Sequence, residues 1–279
     1  LLISNILSFF TNNFYICDEF RLSHMKITIL GSGTSQGIPI ITCDCEVCHS
    51  NDPRDKRLRT SILIETENTT LCIDAGPDFR HQMLRTNVKK LDAILISHEH
   101  KDHIGGLDDV RPFIFRQQKP MIVYASSSAQ KEIRREYSYA FVKQDERYPG
   151  APAFELKTIN SHPIEINELI IEPIKLKHFT LTSYGFRIGN FAYITDLSEL
   201  PKKGYSKLKG VEYLIIEALR HKPHYSHICL SEAIDIAQRI GAKKVWFTHI
   251  SHDMGKYADI NPTLPENMML AYDGLEIII

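Results

Sequence analysis

The sequence is marked first by what it lacks. Of 279 residues one is tryptophan, and 33 basic side chains face 34 acidic ones, for a formal net charge of -1. Without surplus positive charge the chain has no electrostatic footprint of a dedicated nucleic-acid binder. The one basic run, Arg54 to Arg59, is interrupted by Asp55 and reads as a solvated loop. No apolar run is long enough to cross a bilayer, so no membrane partner is expected. There is no internal repeat, no low-complexity tract and no convincing linker, which excludes repeat arrays and long disordered segments. Residues 1–24 open with the apolar stretch Leu1 to Phe10 but carry no positively charged leading segment and no small-residue cleavage site, so a signal peptide is not expected. Met25 is followed at once by a strand pattern. The expectation is that residues 1–24 are a non-native or disordered extension and that 25–279 form one domain; a genuine N-terminal helix is the competing reading. A disulfide framework is lacking too. Cys17, Cys72 and Cys229 are scattered, while Cys43, Cys45 and Cys48 crowd into six residues, poor geometry for disulfides and good geometry for a metal. A reducing compartment, the cytoplasm, is expected.

What is present is an ordinary globular composition, 43% hydrophobic and 24% charged. Apolar runs predict strands at 26–31, 61–65, 70–74, 93–97, 121–125, 154–158, 169–174, 183–188, 191–195, 212–217 and 244–248. Gly189-Asn190 marks a hairpin between two of them. Helices are predicted at 78–86, 127–143 and 231–240, the last with Ser231 as N-cap and Gly241 just beyond its end. Strands interspersed with helices argue for a mixed α/β layered fold. Polar residues come where apolar runs stop: Ile94-Leu95-Ile96 leads into Ser97-His98, Tyr193-Ile194-Thr195 into Asp196, and Val245-Trp246-Phe247-Thr248 into His249. Strand ends are a rigid place to hold a site.

The strongest of these clusters is His98-Glu99-His100-Lys101-Asp102-His103. In an extended segment His98, His100 and Asp102 would share a face, and a turn near Gly105-Gly106 could bring His103 round. Four potential ligands in six residues suit two cations, with the carboxylate offsetting the added charge. A solvated polar turn with scattered histidines fits poorly with this spacing straight after a buried strand.

The HxHxDH pattern resembles the hallmark of the metallo-β-lactamase superfamily, and the similarity runs over residues 25 to 279. The resemblance implies a four-layer αββα sandwich. It also implies further ligands at later strand ends, here His178, Asp196 and His249. One metal would then be held by His98, His100 and His178, the other by Asp102, His103 and His249, with Asp196 bridging them. Asp74, in Ile73-Asp74-Ala75-Gly76, matches the family's aspartate that supports the ligands from behind, though Asp-Ala-Gly is also an ordinary strand-ending turn. A hydroxide shared by cations roughly 3.5–4 Å apart would be the nucleophile.

Three thiolates on one loop ask for a fourth ligand, since a structural zinc is closed and tetrahedral. His49 would strain that geometry, and three free thiols are the remaining alternative. Here the chain resembles the PhnP-type phosphodiesterases, which open phosphoribosyl 1,2-cyclic phosphate and carry a CxCxxC loop completed by a histidine three residues past the last catalytic one. That similarity implies a structural zinc on Cys43, Cys45, Cys48 and His252. The Thr34-Ser35-Gln36-Gly37-Ile38-Pro39 stretch is similar as well.

The departing oxygen of a cleaved phosphodiester needs a proton. The same resemblance points to His227 as the acid, with His221 and His224 close enough in sequence to compete, and with Asp102 able to act on the acid or nucleophile besides binding metal. The expected function is hydrolysis of a small phosphodiester, such as phosphoribosyl 1,2-cyclic phosphate or a cyclic nucleotide, using two zinc or manganese ions. The segment 104–118, and the loop 143–152 beside it, are expected to wall the pocket. A homodimer is implied by the resemblance. A nuclease of the same superfamily and a non-catalytic zinc-binding scaffold are the rivals. Against the first stand the neutral charge and the absence of a projecting arm; against the second stands the cost of so charged a cluster without metal.

Overall fold

Both faces of most strands are apolar, so each sheet has to be covered on two sides. The computed structural model describes residues 24–143 and 145–279. The expected N-terminal extension, apart from His24, and Cys17 lie outside the described residues. The first sheet comprises β1 (Lys26–Gly31), β2 (Ser61–Glu65), β3 (Thr70–Ile73), β4 (Ala93–Leu95), β5 (Met121–Ala125) and β6 (Phe154–Thr158). The second comprises β7 (Ile164–Ile166), β8 (Leu169–His178), β9 (Leu181–Ile188), β10 (Phe191–Ile194), β11 (Tyr213–Glu217), β12 (Lys244–Thr248) and β13 (Met268–Leu270). The last strand, β14 (Glu276–Ile278), returns to the first sheet. The spatial orders are β14-β1-β2-β3-β4-β5-β6 and β13-β12-β11-β10-β9-β8-β7.

The period-two alternation sorts side chains into three cores. Ile27, Ile29, Ile62, Ile64, Leu71 and Ile73 meet Phe186, Phe191, Tyr193, Ile215 and Trp246 between the sheets. Their neighbours Leu30, Leu63, Cys72 and Ile94 point the other way, onto Phe79, Phe113, Ala129 and Ile133. Those four belong to α1 (Phe79–Thr86), α3 (Arg111–Gln117) and α4 (Ser127–Glu136); α2 (Lys101–Ile104) is a single turn between them. Across the molecule Leu214, Ile216, Val245 and Phe247 pack on Leu208, Ala233, Ile236 and Ala237, under α5 (Lys202–Lys207) and α6 (Leu230–Ile240); α7 (Tyr257–Ile260) follows. The result is the expected αββα sandwich. Each fully buried Ile, Leu or Phe contributes about 1.5–3 kcal/mol to holding these layers.

Several elements differ from the sequence-based expectation. The strand predicted to stop at Ile174 runs on to His178, through Pro173. At Pro173 only β9 pairs with β8, because β7 reaches no further than Ile171, so the missing N–H faces an open edge. The helix predicted over 127–143 ends at Glu136 and gives way to a 3-10 turn, Ser138–Ala140. The last long helix is capped by Cys229 rather than Ser231, and Glu232 accepts from the Cys229 N–H at 2.8 Å. Gly241 ends it in the left-handed conformation, φ 79°. The three-residue strands β7, β13 and β14 and the short helices α2, α3, α5 and α7 were not anticipated; such short elements carry too few residues to show a period.

Candidate active site

Asp74, His98, His178, Asp196, Glu217 and His249 each end or closely follow a strand: β3, β4, β8, β10, β11 and β12 respectively. Three of them leave the strand by a left-handed step, with φ 65° at Asp74, 54° at Asp196 and 54° at His249. Such backbone costs of order 1–3 kcal/mol per residue and persists where the surroundings enforce it. Asp and His tolerate it better than most side chains. Gly76 has a steric role here: a Cβ on it would lie 1.9 Å from the Asp102 carbonyl oxygen. Only glycine lets the Asp74-Ala75-Gly76 turn lie against α2, where the Ala75 N–H reaches the His103 carbonyl at 2.8 Å.

The scattered residues converge. His98, His100 and His178 each bring a ring nitrogen within 4.8 Å of the others, and Asp102, His103 and His249 form a second such group. Asp196 lies between. Its Oδ1 is 3.3 Å from His249 Nε2, 3.9 Å from His178 Nε2 and 4.0 Å from His98 Nε2. Its Oδ2 is 3.3 Å from His103 Nε2. One local expectation fails. His98 and His100 do share a face, Nε2 to Nδ1 2.8 Å, but Asp102 does not continue it. The chain has already turned into α2, where the His103 N–H bonds the His100 carbonyl at 3.0 Å. Asp102 therefore faces His103 Nε2 at 3.2 Å and His249 Nε2 at 3.9 Å.

Hydrogen bonds from behind fix the rings. Asp74 Oδ2 accepts from His103 Nδ1 at 2.8 Å and from the Ser97 hydroxyl at 2.9 Å, and its Oδ1 accepts the Ser97 N–H at 2.8 Å. His178 Nδ1 donates to the Ser226 carbonyl at 2.9 Å. These contacts commit Nδ1 of His103 and His178 and leave Nε2 turned inward. Glu217, wholly buried, takes two donors on each oxygen: His227 Nδ1 at 2.9 Å and the Asp196 N–H at 3.1 Å on one, the Leu197 N–H at 2.8 Å and the Ile228 N–H at 3.3 Å on the other. With its lone pairs committed, Glu217 is better suited to holding His227 and the Asp196 turn than to ligating a metal.

The electrostatics fit cations. Asp196 and Asp102 are held well below the usual carboxylate range. Burial works to raise both, but His249, His103 and His98 outweigh it at Asp196, and His103 and His249 at Asp102. Burial and the neighbouring His103 drive His98 well below the imidazole range. His103, desolvated to the same extent, is pulled well above that range by Asp102, Asp74 and Asp196. His103 Nε2 and both ring nitrogens of His249 are buried without a hydrogen-bond partner. Each such orphan costs about 1–3 kcal/mol, and the two Nε2 atoms, which face Asp102 and Asp196, are ones that bound metal relieves. The donor set thus fits a pair of divalent cations.

The second group is Cys43, Cys45, Cys48 and His252. The three sulfurs lie 3.2, 3.4 and 3.8 Å from His252 Nδ1. His49 stays outside, exposed, its Nδ1 donating to the Cys45 carbonyl at 3.3 Å. Burial works to raise the Cys45 thiol, but the Cys48 N–H and the surrounding thiols and imidazole hold it down at about 6. Burial pushes Cys48 up to about 11. Four donors with no open position suit a structural zinc.

Comparison with known proteins decides the family. A model described as the Beta-lactamase superfamily domain matches residues 69–250, well over half the chain. A crystal structure of a diphosphatase from the PhnP family superposes with a TM-score of 0.85 at 39% identity, covering 92% of this chain and 97% of that one. The chain belongs to the PhnP family of the metallo-β-lactamase superfamily. It is a metal-dependent hydrolase. An octanoyltransferase of Porphyromonas gingivalis is 38% identical over 258 residues, covering 91% of this chain and 52% of that protein, so the chain spans about half the length of this relative. A ribonuclease Z of Sulfolobus acidocaldarius is 25% identical over 270 residues, covering 76% of this chain and 88% of the relative.

In this superfamily member the cluster opens into a cavity of about 470 Å³ lined by His100, Asp102, His178, Asp196 and His249 together with Ser35, residues 179–181 and residues 224–227. The segment 104–118, expected to wall it, does not. Leu107, Val110, Phe113 and Ile114 turn into the core beneath the first sheet, and the outer side of α3 borders a different cavity with Arg80 and Lys89. None of the described residues of 143–152 lines it either. The candidate acids separate. His227 touches Asp196 Oδ1 at 3.8 Å and stacks on His249, ring centroids 4.8 Å apart. Burial would lower its pKa, but Glu217 and Asp196 hold it up at about 9. His224 lines the cavity further out, accepting from Ser226. His221 turns away and donates to the Met254 carbonyl at 2.9 Å. Sequence reasoning missed Ser97 and Glu217. Glu217 obeys the same rule as the ligands, a charged residue ending the apolar run Leu214-Ile215-Ile216, and could have been found by it.

Proposed function

We propose that residues 25–279 cleave a small phosphodiester, a cyclic one by preference, at a pair of divalent cations. The observation that carries this reading is the gathering of seven donors from distant strand ends around orphaned ring nitrogens. In it His98, His100 and His178 hold one ion, Asp102, His103 and His249 the other, and Asp196 contributes to both; Cys43, Cys45, Cys48 and His252 hold a structural zinc. When bound, zinc or manganese at the paired site supplies charge neutralisation for the phosphate and lowers the pKa of water toward neutral. The remaining tasks belong to side chains. Asp74 and Ser97 keep His103 aimed, and the Ser226 carbonyl does the same for His178. Glu217 holds the Nδ1–H of His227, which leaves Nε2 as the nitrogen able to hand a proton to the departing oxygen. The cavity volume suits a small molecule better than a folded nucleic acid. A diphosphatase and a ribonuclease among the relatives support phosphoryl chemistry.

The test is hydrolysis of bis(p-nitrophenyl) phosphate by the full chain, loaded with manganese or zinc, alongside metal analysis. Turnover that disappears with chelator and returns with metal is expected, with three ions per chain. A fully metallated protein that cleaves neither this diester nor any cyclic phosphate would overturn the proposal.

A further inference from the structure

A knot of buried hydroxyls interrupts the apolar core between the sheets. Tyr193 packs there with Phe186, Phe191, Ile215 and Trp246. Its phenol oxygen lies 3.3 Å from the Thr60 hydroxyl, which lies 3.0 Å from the Thr248 hydroxyl. Thr195 follows β10 directly, and its side chain sits beside the same phenol. All four residues are buried. Thr60 stands just ahead of β2 in the first sheet, while the other three belong to the ends of β10 and β12 in the second. The knot therefore ties one sheet to the other.

Two of its members immediately precede a donor held in left-handed backbone, Thr195 before Asp196 and Thr248 before His249. Thr195 goes further: its hydroxyl donates to Asp196 Oδ2 at 2.7 Å. A carboxylate only accepts, so the single proton of Thr195 is committed there, in a short hydrogen bond of the strong, charge-assisted kind. Oδ2 is the oxygen turned toward His103, while Oδ1 is turned toward His98, His178 and His249. The backbone on both sides is held too. The Thr195 carbonyl accepts from the Ser183 hydroxyl at 3.2 Å, and the Asp196 N–H donates to Glu217 at 3.1 Å.

The last torsion of an aspartate side chain is broad and roughly two-fold, so the residue by itself does not set the plane of its two oxygens. Packing does not require the hydroxyls. Valine at 60, 195 and 248 with phenylalanine at 193 would fill the same space, and replacing both partners of a buried hydrogen bond by apolar groups of the same shape can be nearly neutral. Such a core would leave Asp196 Oδ2 without its donor. What the hydroxyls add is direction at the carboxylate.

Resting on the paired-cation reading above, we propose that Thr195 is a positioning residue of this centre. Its hydroxyl fixes the rotation of Asp196 so that one oxygen serves each donor group, and the Tyr193, Thr60 and Thr248 hydroxyls brace Thr195 against the first sheet.

The metal-loaded full chain is challenged with rising chelator as wild type, Thr195→Val, Thr195→Ser and Tyr193→Phe, and the zinc released is counted. Turnover of bis(p-nitrophenyl) phosphate is followed in parallel at saturating metal. Thr195→Val keeps the branched shape and loses the donor. It should weaken retention of the strand-end pair by about 10–100-fold and lower kcat more than KM, while the cysteine-loop zinc leaves as late as in the wild type. Thr195→Ser restores the hydroxyl and should bring retention back to within a few-fold of wild type. Tyr193→Phe should show a smaller loss at the same pair. Undiminished retention in Thr195→Val, or a loss in Thr195→Ser as large as in the valine variant, would overturn the inference. The release measurement needs no substrate: a wild type that holds the pair and cleaves no diester sinks the phosphodiesterase reading alone, and the variants still decide the role of Thr195.

Discussion

The molecule gathers potential metal donors in two places, by opposite means. At the strand ends, donors drawn from residues 98 to 249 converge in a buried cluster with three unpaired ring nitrogens and an open cavity on one side. At the cysteine loop, three donors come from one short segment and the fourth from His252, half-buried. The first is precise because two sheets carry it and backbone strain aims it. The second is precise only when all four donors are drawn to one ion. An open site on a rigid edge is suited to chemistry, and a closed site on a loop is suited to fastening. The two meet in sequence at His249 and His252, so the fastening lies one short turn from the chemistry.

This contrast can be broken by substitution. Asp196→Asn keeps a side chain that tolerates the left-handed turn and removes the charge between the two donor groups; phosphodiester turnover should fall on the order of a thousandfold, and metal analysis should show loss at the strand-end site while the cysteine-loop zinc remains. His227→Ala should cost about a hundredfold or more in kcat with both metal complements intact, and full turnover at full metal content would remove His227 from the acid role. Asp74→Asn should loosen His103 and cost about 10–100-fold in metal affinity or activity, read by titrating the apo protein with zinc. Cys48→Ser should release one zinc per chain and lower the melting temperature by about 10 °C or more, while each remaining pair of ions supports turnover within a few-fold of wild type. His49→Ala should leave zinc stoichiometry unchanged, and a lost equivalent would move the fourth ligand from His252 to His49.

Legibility differed between the two places for a physical reason. The cysteine loop is local, so three of its donors were plain in six residues, and only His252 needed a family resemblance. The strand-end cluster is non-local, yet His98, Asp196 and His249 stood out because each follows an apolar run where a buried strand stops, while His178, after Lys175-Leu176-Lys177, needed the family resemblance. Asp102 was recognised, but its direction was misjudged: the period of an extended segment was carried into a turn of helix. Ser97 and Glu217 were missed because a serine beside histidines has no spacing of its own and a glutamate ending a strand resembles a solvated end. The strand-end rule could have flagged Glu217 as a candidate, but what each residue holds emerges only with its distant partners in place, Asp74 for Ser97 and the Asp196 turn for Glu217. The layered architecture followed from alternation, whereas the passage of β8 through Pro173 depended on which neighbour was absent, something only the assembled sheet reveals.

The left-handed backbone at Asp74, Asp196 and His249 has a consequence for any substitution scan of this protein. Valine, isoleucine or threonine at these positions would fail on conformation before chemistry was ever tested, whereas glycine and asparagine would survive as folded chains. A tolerance profile that admits only those two replacements, with activity absent, would separate the geometric demand of the turn from the demand for a ligand. The same three residues would look equally indispensable in a library scored on activity alone.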